Sequence, residues 1–339
     1  MKRLIIGPGS MIIYSFIGAL KYLNDFGFLN DLEEISCSSS GSLVGFFYLI
    51  TKGDVDKMLS LAVESPLENL AKPEIKCLLD KFGLIDADRF EKYMSLVCKK
   101  LVGNDPTFKE LYEFNPIKLH IPTYDLVLSK TIYMSVDTTP DMKVSHAVRR
   151  SIAVPIIMTP VNARYIDGSV AEFSPCTPFL GKCDVFEIRF RYAPKPRNRA
   201  KTLFQYFYDV VMAFVSNRFE YMQFPRLDIS IDNVEIFNFS MTLDQKFELY
   251  RIGYTQAYAR LQGHNHNDLS SCSQYSKNLA CSREYTHDQE PQSEDQHHLE
   301  ANEIGENSEN LESPSPEPLE TCQSNLDTVS EISHSDWGQ

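Results

Sequence analysis

No apolar run in this 339-residue chain approaches the ~20 residues that span a bilayer, which excludes a membrane-crossing helix and leaves peripheral contact as the expected relation to a membrane. Cysteine never falls in the close pairs of a zinc site or the dense spacing of a disulfide framework. The eight, Cys37, Cys77, Cys98, Cys176, Cys183, Cys272, Cys281 and Cys322, are expected as reduced thiols in a cytoplasmic protein. There is no Gly-Lys-Ser/Thr phosphate loop, and Gly7-x-Gly9 lacks the third glycine of a dinucleotide fingerprint, so nucleotide binding has little to stand on. Histidine is scarce before Gln262, where only His120 and His146 occur. A Ser-His-Asp triad would have to recruit one of them, yet one lies in the strand-like Ile117–Pro122 stretch and the other in a helix-like one, and neither opens a catalytic loop.

Charge is unevenly spread. From Gln262 onward, 16 Asp and Glu face only Lys277 and Arg283, whereas Met1 to Leu261 carry 31 basic and 30 acidic residues. The body is near neutrality, and no nucleic acid is expected as a partner. Residues 262–339 are rich in Ser, Glu, Asn, Gln and Pro with no run able to bury a core, so they are expected to be a disordered acidic tail following a globular domain over 1–261. His264, His266, His297 and His298 sit in that tail without the cysteine partners or rigid frame of a zinc site, so no metal is expected. The amino terminus, Met1-Lys2-Arg3 followed by apolar residues, imitates a signal peptide, but Gly7-Pro8-Gly9-Ser10 breaks the apolar stretch and a retained terminus is expected.

Three segments carry chemistry. Ile35-Ser36-Cys37-Ser38-Ser39-Ser40-Gly41 lies between a short β-favouring run and an apolar helix, and reads as a nucleophile elbow with Ser39 as the exposed hydroxyl, Cys37 in the place of the first glycine and Gly41 as the second. Leu4-Ile5-Ile6 precedes Gly7-Pro8-Gly9-Ser10, after which Ile13, Phe16, Ile17, Leu20 and Leu23 fall at helical spacing. A Gly-rich turn entering a helix aims backbone N–H groups at whatever lies beyond it, which suits a developing oxyanion. Downstream, Tyr165-Ile166-Asp167-Gly168-Ser169 ends a strand-like run in a carboxylate followed by glycine, a place for a base.

These segments, in this order, resemble the patatin-like phospholipase family. Phe16-Ile17-Gly18-Ala19-Leu20 is similar to the family's first helix, Ser151-Ile152-Ala153-Val154-Pro155 to its Ser-x-x-x-Pro turn, and Leu249-Tyr250-Arg251-Ile252-Gly253-Tyr254 to its closing helix, so the likeness runs from about Lys2 to Leu261. The resemblance implies a three-layer α/β/α sandwich and a lipid acyl-ester hydrolase working through a Ser39–Asp167 dyad without cofactor. It further implies Gly7, Gly9, Ser10 and Ser40 at the oxyanion hole, Gly168 as the motif glycine, and a lipid or phospholipid substrate met peripherally at membranes. The sequence departs from the pattern at Pro8, which has no N–H to donate, and at Met11, Ile12 and Cys37, which leaves an inactive lipid-binding or scaffold protein on the same fold as the alternative.

The coarse order is strand, turn, helix, strand, elbow, helix, then a mostly helical insert from about Asp54 to Phe114. Strands follow at Ile117–Leu128 and Lys130–Ser135, a helix near Lys143–Ile152, strands at Asp167 and Asp184–Arg191, and closing helices. Lys195 to Lys201 followed by Leu203 to Val215, a basic cluster leading into an aromatic stretch, is a candidate lipid-facing surface.

Overall fold

The computed structural model describes residues 1–191, 224–232 and 235–262, together with Tyr206 and Val210. The expected tail beyond residue 262 and nearly all of the candidate surface at Lys195–Val215 lie outside the described residues. In chain order the described elements are β1 (Arg3–Ile6), α1 (Ile13–Asp25), β2 (Glu34–Cys37), α2 (Ser40–Ile50), α3 (Val55–Glu64), α4 (Leu67–Leu70), α5 (Ile75–Lys81), β3 (Gly83–Ile85), α6 (Asp88–Val102) and α7 (Phe108–Phe114). They continue as β4 (Lys118–Asp125), β5 (Lys130–Met134), α8 (Val144–Ser151), β6 (Ile156–Met158), β7 (Tyr165–Asp167), β8 (Val185–Phe190), β9 (Arg226–Ile229) and α9 (Leu243–Leu261).

The main sheet has the order β5-β4-β2-β1-β8-β9, with β7 also paired to β4. The strands from β4 to β9 along this path run parallel, and β5 and β7 are antiparallel to β4. β1 shows why its sequence is an unbroken apolar run: Leu4 and Ile6 enter the large core under α1 and α2, while Ile5 enters a second cluster with Cys176, Phe179 and Val185 on the other face. A strand buried on both faces has no polar alternation to show.

α1 and α9 cross in unusually close contact. A Cβ on Gly18 would overlap the Tyr250 carbonyl oxygen, and one on Gly253 would overlap that of Ser15. The two glycines let the backbones touch. Gly253→Ala is therefore expected to destabilise the fold by ~1–3 kcal/mol through overpacking, despite the helix propensity that alanine brings, and a thermal melt checks it.

Two details differ from the sequence reading. The helical insert contains a strand, β3, which pairs in parallel with the distant β6 in a small separate sheet, Gly83 standing opposite Ile156. Three-residue strands have too few positions to show a period, so nothing local marks them. The strand expected at Ile117–Leu128 ends at Asp125, and Leu126–Ser129 form the tip of the β4–β5 hairpin. Cys37, Cys77, Cys98, Cys176 and Cys183 are free thiols, and no described helix is long and apolar enough to cross a membrane.

Candidate active site

β2 is buried throughout, and the chain turns at its end so sharply that Ser39 takes φ 53° and ψ −130°, at the N-terminus of α2. This backbone conformation is costly for any residue with a side chain, and it persists only when neighbours impose it. Three hydrogen bonds do so: the Ser39 N–H donates to Ser151 Oγ at 3.1 Å, and the Ser39 carbonyl accepts from the Ser42 N–H at 2.9 Å and the Ser42 hydroxyl at 2.5 Å. Gly41 is required by space, since a Cβ there would stand 2.5 Å from the carbonyl oxygens of Ile6 and Gly7.

Cys37, in the place of the usual first glycine, is accommodated from across the turn. Its fully buried sulfur lies where a Cβ on Gly45 would come within 2.8 Å of it, so the residue that must stay small to make room is Gly45 of α2. Burial pushes the Cys37 thiol far up, away from thiolate character, and its role is packing. Of the three adjacent serines, Ser38 is wholly buried with an unpaired hydroxyl and does not line the cavity, and the Ser40 hydroxyl accepts from the Gly9 N–H at 3.0 Å. Ser39 faces the cavity, and its hydroxyl acts on the Asp167 carboxyl.

Asp167 reaches the elbow through strand pairing. β5 occupies one edge of β4 at Ile121–Asp125, so β7, paired at Thr123–Asp125, must share the edge that β2 uses at Lys118–His120. β7 therefore comes down head-on toward the end of β2 and delivers Asp167 beside the turn. Gly168 lies so close to Pro122 of β4 that a Cβ would stand 2.8 Å away, which accounts for the glycine after the acid. The carboxylate is fully buried. Its Oδ1 accepts from the Ser169 N–H at 2.8 Å, and its Oδ2 has no hydrogen-bond partner. Burial raises Asp167 to about 6, opposed by the Ser39 hydroxyl and by the backbone and side chain of Ser169. A buried acid with a spare oxygen and a raised pKa, acted on by a neighbouring hydroxyl, can take that hydroxyl's proton near neutral pH.

The turn after α8 holds both partners at once. Ser151 accepts from the Ser39 N–H, and the Ala153 carbonyl accepts from the Asp167 N–H at 2.9 Å. The sequence marks this Ser-x-x-x-Pro stretch only as a family likeness, and its positioning role depends on contacts between segments far apart in the chain. Ser151→Ala should leave the buried Ser39 N–H unsatisfied, costing ~1–3 kcal/mol of stability. It should also lower kcat more than it changes KM, which steady-state kinetics and a melt together check.

The oxyanion donors narrow to fewer groups than the sequence suggests. The Gly7 N–H donates to the Ile188 carbonyl of β8 and the Gly9 N–H to Ser40 Oγ, so neither faces an empty site. The Met11 N–H is committed to the Ile236 carbonyl, and Pro8 has no N–H. Ser10, at φ 48° in the turn, and Ser40, at the first position of α2, keep N–H groups without an acceptor among the described residues. Both line the cavity with Ser39. The N-terminal end of α2 adds its partial positive charge there.

The cavity is about 120 Å³ and mostly apolar, walled by residues such as Leu43, Phe90, Val154, Met158 and Phe239 around Ser39 and Ser169. Neither body histidine borders it. His120 lies buried with its Nε2 3.0 Å from Glu34 Oε2, in a cluster with Arg3 and Lys182, and burial lowers its pKa. His146 accepts from Arg150 Nε at Nε2 and so donates from Nδ1 to Glu91 at 3.1 Å. Among the described residues, no group of three or more His, Cys, Asp or Glu gathers as a metal site.

The model of the family described as patatin-like phospholipase matches residues 4–180 of the chain, a span that holds both Ser39 and Asp167. An uncharacterized protein of Acanthamoeba polyphaga mimivirus is 28% identical over 75% of this chain and 91% of its own length. A probable lipid hydrolase of Invertebrate iridescent virus 6 is 27% identical over 50% of this chain and 60% of its own. Among solved structures, VipD from Legionella pneumophila superposes with a TM-score of 0.51 over 78% of this chain and 67% of that one, at 18% identity, a likeness of fold.

Proposed function

The chain belongs to the patatin-like phospholipase family, a family of lipid hydrolases, and from that premise we propose that it is a serine acyl-ester hydrolase using a Ser39–Asp167 dyad. Ser39 Oγ attacks the ester carbonyl carbon while its proton passes to Asp167 Oδ2, and the charge gathering on the carbonyl oxygen is met by the N–H groups of Ser10 and Ser40. Collapse of this intermediate expels the lipid's alcohol portion, which takes the proton from Asp167 and leaves the acyl group esterified to Ser39. Water then attacks the acyl-enzyme, Asp167 accepts the water's proton, and Ser39 leaves with that proton as the fatty acid departs. Gly9 serves by tying the loop to the Ser40 hydroxyl. These steps call on no cofactor.

The observation that supports this reading most is the fully buried Asp167 carboxyl, whose Oδ2 has no hydrogen-bond partner, with the hydroxyl of the cavity-facing Ser39 acting on it. An apolar cavity of about 120 Å³ is small beside the ~300–1,000 Å³ of typical ligand sites, which suits the carbonyl end of an acyl chain rather than a polar head group. Phospholipid is the proposed substrate. The five free thiols among the described residues support a reducing, cytoplasmic setting, and peripheral access to membranes is proposed with it. The alternative, a non-catalytic lipid binder, draws on Pro8 and on the committed N–H groups of Gly7 and Gly9. Release of fatty acid from diacylphospholipid vesicles decides between them: release that depends on Ser39 supports the hydrolase, and binding without release by folded protein supports the binder.

A further inference from the structure

The tip of the β4–β5 hairpin places three consecutive aliphatic side chains in solvent. Leu126, Val127 and Leu128 are 48%, 69% and 51% exposed, where a hairpin tip ordinarily carries polar or glycine residues. The tip is rigidly presented. Asp125 Oδ1 accepts from the N–H groups of Val127 at 2.9 Å and Leu128 at 3.1 Å, and the Leu126 N–H donates to the Arg164 carbonyl at 3.0 Å. Arg164 in turn grips Asp125 through Nε and Nη2 at 2.7–3.0 Å, a clasp that holds the Asp125 carboxyl down to about 2 and keeps it charged. With the N–H groups of Leu126, Val127 and Leu128 all satisfied, the side chains that face out are apolar ones.

Position gives this tip a meaning. Asp167 pairs with Thr123, and β4 runs on past that point to Asp125 and the tip, in the same direction in which β2 ends at the elbow. Leu126 thus lies roughly 10 Å farther along the sheet than Asp167, on the same end of the sheet as Ser39. Neither residues 126–131 nor the adjoining turn at 161–165 contains a carboxylate, while Lys130 stands exposed at the tip's base. An apolar point flanked by a cation, whose one neighbouring acid, Asp125, is buried and paired with Arg164, is the chemistry of a segment that enters the interfacial region of a lipid bilayer. A second protein surface would leave the lack of exposed acids at the tip and its place on the elbow's end of the sheet unexplained.

We infer that Leu126, Val127 and Leu128 form a membrane-inserting tip that seats the C-terminal ends of the parallel strands on a phospholipid surface. The inference rests on the hydrolase reading for its purpose, but its test does not. The full-length protein is sedimented with phosphatidylcholine vesicles alongside Val127→Asp, the triple variant Leu126→Ser/Val127→Ser/Leu128→Ser, and Ser39→Ala. Each is measured at about 50 mM and about 500 mM salt, so that charge attraction is weakly screened in one and strongly in the other. The triple variant is expected to lose vesicle partitioning by on the order of 100-fold and Val127→Asp by about tenfold, because the buried apolar area supplies the attraction. Hydrolysis of a monomeric short-chain ester should be unchanged in both, and Ser39→Ala should bind vesicles as the parent does. Partitioning should change little with salt, since one cation contributes little. Equal partitioning of parent and triple variant overturns the inference. So does partitioning that salt abolishes, or concentration-dependent self-association that the triple variant removes in a protein that ignores vesicles. If vesicle binding depends on the tip but no ester is hydrolysed, the inference stands and the hydrolase reading falls.

Discussion

Ser39→Ala is expected to abolish ester hydrolysis, a loss on the order of 10⁴- to 10⁶-fold as for removal of a catalytic serine elsewhere. The fold should survive it. The strain at φ 53° belongs to the backbone, and the bonds that impose it run from the Ser39 N–H and carbonyl, which alanine keeps. The neighbouring serines supply the control. Ser38→Ala removes a buried hydroxyl that has no partner and should be close to neutral for activity. Ser40→Ala releases the Gly9 N–H from its acceptor and should slow the reaction by about tenfold, the equivalent of ~1.4 kcal/mol, by loosening the loop that carries Ser10. Measured rates on one soluble ester order the three variants. Activity that survives Ser39→Ala but disappears in either neighbour would move the nucleophile.

Asp167→Asn should lower kcat by on the order of 10² to 10⁴-fold, because the amide keeps the shape and removes the proton acceptor. Its pH signature is specific. With the carboxyl raised to about 6, kcat/KM should climb as pH rises through 6 and then level off, and that rising limb should remain in His120→Gln and His146→Gln. The stability consequence has the opposite sign to that of an ordinary salt-bridged acid. The usual carboxyl value is 3.8, so between about 4 and 6 the folded state holds a proton that the unfolded chain has released. Stability therefore falls as pH rises through that window, by roughly 3 kcal/mol in all, and stays lower above it. Asp167→Asn should then unfold at a higher temperature than the parent at about pH 8, with the advantage gone by about pH 4, which paired melts at the two pH values check. A buried charge kept for chemistry at the expense of stability is what an active site requires.

The groups proposed to react were legible because each sits in a local pattern: Ser39 between a β run and a helix with Gly41 two residues on, and Asp167 at the end of a strand with Gly168 behind it. What holds them was not. Ser151 meets the Ser39 N–H across 112 residues, and the commitment of the Gly7 N–H depends on β8, so the sequence could offer Gly7 and Gly9 as oxyanion donors without showing that other acceptors had taken them. The exchange by which Gly45 makes room for Cys37 is invisible for the same reason, because the two meet only once α2 folds back over β2. The parallel sheet was foreseeable from strands alternating with helices, whereas β3 and β6 are too short to leave a period. The Leu126–Leu128 run reads as strand by composition, and only the satisfied backbone around Asp125 shows that it is a tip.

The most direct test of the dyad is to treat the full-length protein with a fluorophosphonate ester and locate the adduct by peptide mass spectrometry, following its rate of formation against pH. The account expects a single adduct on Ser39, forming faster as pH rises through about 6 and strongly slowed in Asp167→Asn. An adduct on Ser38, Ser40 or a cysteine, or no adduct on protein shown to be folded, would contradict it.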